Sequence, residues 1–222
     1  MTLTAPTATT SAAVRVVRLP DQVRHRLLST VSAVHAAGLK SFGLLVAPPE
    51  ERDFPFTASD VVFFDPLRNR RNDPAIRAAF EAQGTYFRTY DDAGFVADAG
   101  EVLDVFRRVE DAGLEVVAMF HAHRRQPANF SVIDFRLHNP AIPWHLIISL
   151  RDPDHPVLRA FGVQKEPEDF GISAHDGNED SEQPYAGPEV TPMELVSAAP
   201  ENDEWTAMFG EAAAPVQICS AS

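Results

Sequence analysis

Residues 114–135, "LEVVAMFHAHRRQPANFSVIDF", constrain this chain more than any other stretch. The run "LEVVAMF" is short and apolar with a β-branched centre, so it reads as a buried strand. That strand delivers the chain to His121 and His123, which stand one residue apart. Side chains at i and i+2 of a strand point to the same face, so both imidazoles can meet one ion. Ser131 then opens a helix over "SVIDFRLHN", which carries Asp134 in its first turn.

The flanking segments supply the rest of a domain. "AVRVVRL" reads as a strand. "PDQVRHRLLSTVSAVHAAG" reads as a helix, with Val23, Leu27, Leu28, Val31 and Val34 at helical spacing and Gly38 just past its end. "SFGLLVAPP" and "SDVVFFDPL" read as strands. "DPAIRAAFEAQG" reads as a short helix with Asp-Pro at its start, and "TYFRTY" as a strand. "AGEVLDVFRRVEDAG" is an amphipathic helix with Val102, Leu103, Phe106 and Val109 on one face. "WHLIISL" and "VLRAFGV" are strands joined by the turn-rich "RDPDHP". Helices and strands mix without strict βα alternation, which predicts an α+β domain over residues 13–165. Residues 1–12 read as a flexible leader.

Charge divides the chain differently. The net formal charge is −13, and from Gln164 onward thirteen acids face a single lysine, Lys165. The body is therefore close to neutral, and residues 166–222 form an acidic extension. Its first part is expected to be poorly ordered. In its second part, "TPMELVSAAPENDEWTAMFGEAAA" is expected to form one or two short helices docking Leu195, Trp205, Met208 and Phe209 on an apolar surface. The acidic balance argues against nucleic acid as a partner. No apolar run approaches the roughly 20 residues that span a bilayer. No secretory signal pattern precedes the body, and the single cysteine, Cys219, has no partner for an intrachain disulfide. The expected location is the cytoplasm.

The chemistry of the opening stretch follows from its donors. Two histidines plus a carboxylate from the next helix make a three-ligand set that leaves a fourth position open, the arrangement of a catalytic zinc. Zinc lowers the pKa of bound water toward ~7, and Ser131 could donate to the oxygen that gains charge when a carbonyl is attacked. The alternative reading makes Ser131 a plain N-cap and Asp134 the third-position acid of a capping box. That accounts for the serine and the aspartate but not for the histidines.

The spacing H-x-H-x7-S-x2-D, carried by His121, His123, Ser131 and Asp134, resembles the JAMM motif of the JAB/MPN metalloprotease family. The order of strands and helices over residues 13–163 is similar too. "RDPDHPVLRAFGV" resembles the tail of the bacterial members that process ubiquitin-like sulfur carrier proteins. The resemblance implies an MPN/JAB-like curved mixed sheet flanked by helices. It implies Zn²⁺ held by His121, His123 and Asp134, oxyanion support from Ser131, and hydrolysis after a carrier's C-terminal Gly-Gly. A homodimer is one assembly it suggests.

One element departs from the family pattern. The family's proton-carrying glutamate lies three residues before a glycine in E-x-x-G-x-L, and here that position is Lys40, ahead of Gly43. Lysine serves as a base only when neutral, which burial or a nearby cation favours. Glu50, Glu51 and Asp60 are substitutes, although ten residues of strand at about 3.3 Å each separate Glu50 from Lys40 unless the chain turns. Two functions follow: a zinc hydrolase with an unassigned proton carrier, or a catalytically altered member that binds metal and a carrier or enzyme partner.

Other polar residues read more plainly. His25, His35, His138, His145, His155 and His175 are expected as surface or satisfied histidines. "RNRRND" (68–73) is expected as a solvated loop or as a patch that steers an acidic partner. Arg124 and Arg125 stand where substrate would enter, either exposed or contacting a carboxylate or the carrier's tail. Trp144 reads as core.

Overall fold

A computed structural model describes residues 15–51, 56–167, 170–172 and 181–198. The expected leader, His175 and the Trp205-Met208-Phe209 group lie outside the described residues, as does the side chain of Glu51.

Eight strands form one mixed sheet in the order β3-β1-β8-β7-β6-β5-β2-β4. In chain order they are β1 (Val16–Pro20), β2 (Phe42–Ala47), β3 (Phe56–Thr57), β4 (Asp60–Phe63), β5 (Glu115–His123), β6 (Trp144–Ser149), β7 (Val157–Val163) and β8 (Val190–Ala198). The helices are α1 (Asp21–Ala36), α2 (Pro74–Glu81), α3 (Thr85–Thr89), α4 (Ala99–Asp111) and α5 (Val132–Leu137). The α+β class and the mixed sheet flanked by helices agree with the sequence.

The two long helices cover opposite faces. Val23, Leu27 and Val31 of α1 pack with Leu45, Val117, Phe120 and Leu146. Val105 and Val109 of α4 pack with Phe42, Leu44 and Val46 on the other face. Every residue of β2 is buried because alternate side chains feed both layers. Gly38 closes α1 at φ 81°, with its N–H on His35 O and the Leu39 N–H on Val34 O. That left-handed closure turns the chain toward β2 at Lys40. Gly43 has a different reason to be glycine. A Cβ there would sit 2.2 Å from Val62 O and 2.7 Å from the Phe120 ring, so only glycine lets β2 pass between β4 and β5.

Two expectations are corrected. "TYFRTY" is helical, not a strand. Phe87 of α3 packs against Phe80 of α2 at 5.7 Å, and Tyr86 meets Tyr90 one turn on at 5.0 Å. These contacts outweigh the strand preference of aromatics. Residues 190–198 are not a docking helix but β8, paired parallel with β1 and antiparallel with β7. The extension therefore enters the sheet interior, and β8 is what connects β1 and β3 to the remaining strands. Leu195 does pack against the core, from a strand. Among the described residues no helix is long and apolar enough to cross a membrane.

Candidate metal centre

Strand β5 presents alternate residues to the two layers. Ala118, Phe120 and Ala122 join the α1 face, while His121 and His123 face α5 at the strand's end. Helix α5 begins with a complete capping box: Ser131 Oγ accepts from the Asp134 N–H, and the Asp134 carboxylate accepts from the Ser131 N–H. The cap and the ligand set are thus made by the same two side chains. Asp134 Oδ2 takes the Ser131 N–H at 2.9 Å and the Ser131 hydroxyl at 2.6 Å, while Oδ1 stands 3.1 Å from His121 Nε2. The single hydroxyl proton of Ser131 is committed to Asp134, so in this geometry the serine orients the carboxylate and has no proton left for an oxyanion.

His121 Nε2 and His123 Nε2 are 2.8 Å apart, and His123 Nε2 is 3.7 Å from Asp134 Oδ2. All three residues are buried. In a tetrahedral site with bonds of about 2.0–2.2 Å, ligand atoms stand roughly 3.3 Å apart. The observed separations straddle that value, so the donor set fits a divalent ion of the zinc type. Among the described residues His121, His123 and Asp134 are the group so placed.

The protonation states also fit. Burial lowers His121, and burial together with His121 pushes His123 down to about 3. Burial works against ionising Asp134, yet the interactions with His121, His123 and the Ser131 hydroxyl hold its carboxyl well below the usual range. Neutral imidazoles and an ionised carboxylate are the forms a metal needs.

A pocket opens beside this group, lined among others by Lys40, Asp92, Phe95, His123, Arg124, Arg125, Ser131, Asp134 and Glu182. Lys40 is therefore at the site, with Nζ 5.7 Å from the Phe95 ring centroid. Burial pushes it down to about 8, partly offset by Asp134 and Asp92. Arg124 and Arg125 are in the wall, but neither stands free. Both donate to Asp92, Arg125 at 2.7 Å to each carboxylate oxygen, and Arg124 also donates to Gly38 O at 2.8 Å. Glu50 is exposed beyond the far end of β2, whereas Phe42, at the near end, pairs with His121. Asp60 pairs with Arg26 and the Val61 N–H. Neither carboxylate lines the pocket.

Asp92 and Phe95 of the pocket wall escaped the sequence reading, as did the site roles of Glu182, Arg71, His138 and His145. Glu182 comes from the acidic extension. Its neighbours are pinned to the start of α5: the Val132 N–H donates to Gln183 O, the Ile133 N–H to Ser181 O, and Tyr185 N–H to Phe130 O. Glu182 Oε2 is buried with no hydrogen-bond partner. Arg71, expected in a solvated loop, is 2% exposed and donates to Ala93 O at 2.5 Å and Phe87 O at 2.9 Å. It fixes the segment that supplies Asp92 and Phe95. His138 and His145 are satisfied, as expected, but they are buried and linked to His121. The signal for His145 was a lone polar residue in the otherwise apolar "WHLII".

The profile of the prokaryotic homologs of the JAB domain matches residues 43–162, over half the chain. The chain belongs to this family. This JAB-domain chain is also similar to the solution structure of protein DSY2949 from Desulfitobacterium hafniense. The two share 22% identity with a TM-score of 0.52, over 83% of this chain and 94% of that one. A protein from Salinibacter ruber aligns at 16% identity and a TM-score of 0.44, over 83% and 93%. The first likeness is one of fold. Among curated proteins none matches. The family match covers His121, His123, Ser131 and Asp134 but ends short of Lys40 and Glu182.

Proposed function

We propose that this JAB-domain protein is a zinc-dependent hydrolase that cleaves the amide or isopeptide bond after the C-terminal Gly-Gly of a ubiquitin-like sulfur carrier protein, in the cytoplasm. The observation that carries the hydrolase reading is the convergence of His121, His123 and Asp134 beside a pocket in a JAB fold. The carrier rests on the resemblance of "RDPDHPVLRAFGV" to carrier-processing members. When bound, zinc supplies Lewis acidity and a nucleophilic water at neutral pH.

The chain's own residues do the remainder. His121, His123 and Asp134 hold the ion, and Ser131 fixes the rotamer of Asp134. The Arg124–Asp92–Arg125 cluster shapes the entrance, where the carrier's extended tail approaches. Proton transfer to the leaving amine falls to a pocket residue that replaces the family glutamate, and Lys40 and Glu182 are both in the wall.

A second reading is favoured by Lys40 itself. A cation in place of the glutamate suits a member that keeps its metal and binds a carrier without cutting it.

The deciding experiment measures bound metal by mass spectrometry, alongside cleavage of a carrier fused through its Gly-Gly to a reporter. About one zinc per wild-type chain, lost in His121→Ala, together with cleavage lost in His123→Ala, supports the hydrolase. Zinc bound without cleavage favours the second reading. A wild-type chain that takes up no zinc when supplied overturns both.

A further inference from the structure

Behind the candidate ligands lies a row of buried histidines. His121 Nδ1 is 2.8 Å from His145 Nε2. His145 Nδ1 is 3.0 Å from His138 Nδ1, and His138 Nε2 is 2.8 Å from the carbonyl oxygen of Ile142. The row joins the end of β5, the adjacent strand β6 and the loop after α5. Phe130 lies against the rings of both His138 and His145, at 6.4 and 5.3 Å. His138 and His145 are each 0% exposed.

The direction of each hydrogen bond follows from one end. A carbonyl only accepts, so His138 carries its proton on Nε2. A neutral His138 then offers a lone pair at Nδ1, and His145 must donate to it from its own Nδ1. His145 Nε2 is therefore an acceptor, and it takes its proton from His121 Nδ1. The other end of the row also meets an acceptor, Asp134 Oδ1 at 3.1 Å from His121 Nε2, but that contact is longer than the 2.8 Å at Ile142 O and Asp134 already accepts twice from Ser131. With the row ordered from Ile142, the His121 Nε2 lone pair faces His123 and Asp134. His123 reaches the same state independently, because its Nδ1 is 2.8 Å from Pro127 O and must donate there.

We infer that the Ile142 carbonyl sets the tautomers of His138, His145 and His121 in series, making His138 and His145 positioning residues that aim the His121 Nε2 lone pair at the ligand cluster. Metal-binding histidines commonly anchor their second nitrogen on one acceptor. Here two further histidines separate the ligand from that acceptor. With each ring's proton on Nδ1, the Nε2 atoms of His121 and His123, 2.8 Å apart, would both turn lone pairs toward the place where the cation would be held.

The consequence for metal rests on the proposed ligand role of these residues, but the tautomers can be read in metal-free protein. Two-bond ¹H–¹⁵N correlation spectra of the zinc-free full chain at neutral pH should show His121, His123 and His145 as Nδ1–H tautomers and His138 as the Nε2–H tautomer. An Nε2–H tautomer at His121 or an Nδ1–H tautomer at His138 overturns the inference, whether or not zinc binds. Zinc affinity, measured by chelator competition, supplies the second arm. His145→Phe should weaken binding about 10- to 100-fold, and His145→Gln, which restores an acceptor toward His121, should recover most of it. Equal losses in the two variants would show that His145 only fills space. Absence of zinc binding in the wild type, with the expected tautomers present, would instead count against the metal reading and leave the inferred tautomer series standing.

Discussion

Lys40 and Glu182 compete for one role. Lys40 lies in the pocket wall with burial pushing it down to about 8, so at pH 7 most copies still carry the proton. As acceptor it works on the alkaline side, whereas a carboxylate works from well below neutrality. If Lys40 carries the proton, cleavage by the wild type should rise with pH toward about 8, and Lys40→Met should cost about 10²–10⁴-fold in kcat. Lys40→Glu should then move the rising limb to lower pH with activity kept or raised. If Glu182 carries it, Glu182→Gln produces that loss instead, and Lys40→Met leaves the profile in place. Rates of the three variants between pH 5 and 9 separate the cases. Neither variant losing activity would place the proton carrier elsewhere. Lys40 was legible in the sequence because the glycine three residues on, where any Cβ would fall 2.2 Å from Val62 O, marks the position. Glu182 was not, because its nearness to Ser131 depends on backbone hydrogen bonds 50 residues along the chain.

Helix α5 has only six residues, too few to persist without tertiary support. Its first N–H groups are satisfied by Ser131 and by the carbonyls of Ser181 and Gln183. Ser131→Ala removes the capping hydroxyl and one of the two bonds orienting Asp134 Oδ2. It should destabilise the fold by about 1 kcal/mol and weaken zinc binding, while Ser131→Thr should keep both. Urea unfolding and chelator competition measure the two effects, and unchanged zinc affinity in Ser131→Ala would mean that Asp134 needs no support from the serine. This element shows why the site could be read early. One serine and one aspartate at fixed spacing serve both cap and cluster, so two local rules converge on one pattern. "TPMELV" obeys no such double constraint. Its Met, Glu and Leu favour a helix, but the slot between β1 and β7 accepts only a strand, and nothing nearby in the sequence announces a slot built from distant segments.

Across the whole molecule, buried histidines tie stability to pH. Burial pushes His138 down to about 4 and His123 to about 3, and lowers His121 and His145 as well. In the unfolded chain each titrates near 6.5. Between about pH 6.5 and 4 the unfolded state therefore binds protons that the native state refuses, and stability falls as pH falls, by about 1.4 kcal/mol per pH unit for each histidine kept neutral. Asp134 acts lower down. Its folded carboxyl lies below the unfolded value, so its contribution is present above about 3.9 and is lost only beneath it. The zinc-free protein should thus lose stability steeply through the histidine window, before Asp134 protonates. Zinc at 100 times its dissociation constant should add about 2.7 kcal/mol at neutral pH, a rise in Tm of roughly 5–11 °C for a chain of this size. That gain should hold nearly constant down to about pH 4, because burial already keeps the native ligand histidines neutral and they have no proton to release on binding. Thermal unfolding from pH 7.5 to 4, with and without zinc, measures both slopes. A zinc increment that falls steeply between about pH 6.5 and 5 would show that the ligands of the ion titrate in the native state, against buried His121 and His123 as its ligands.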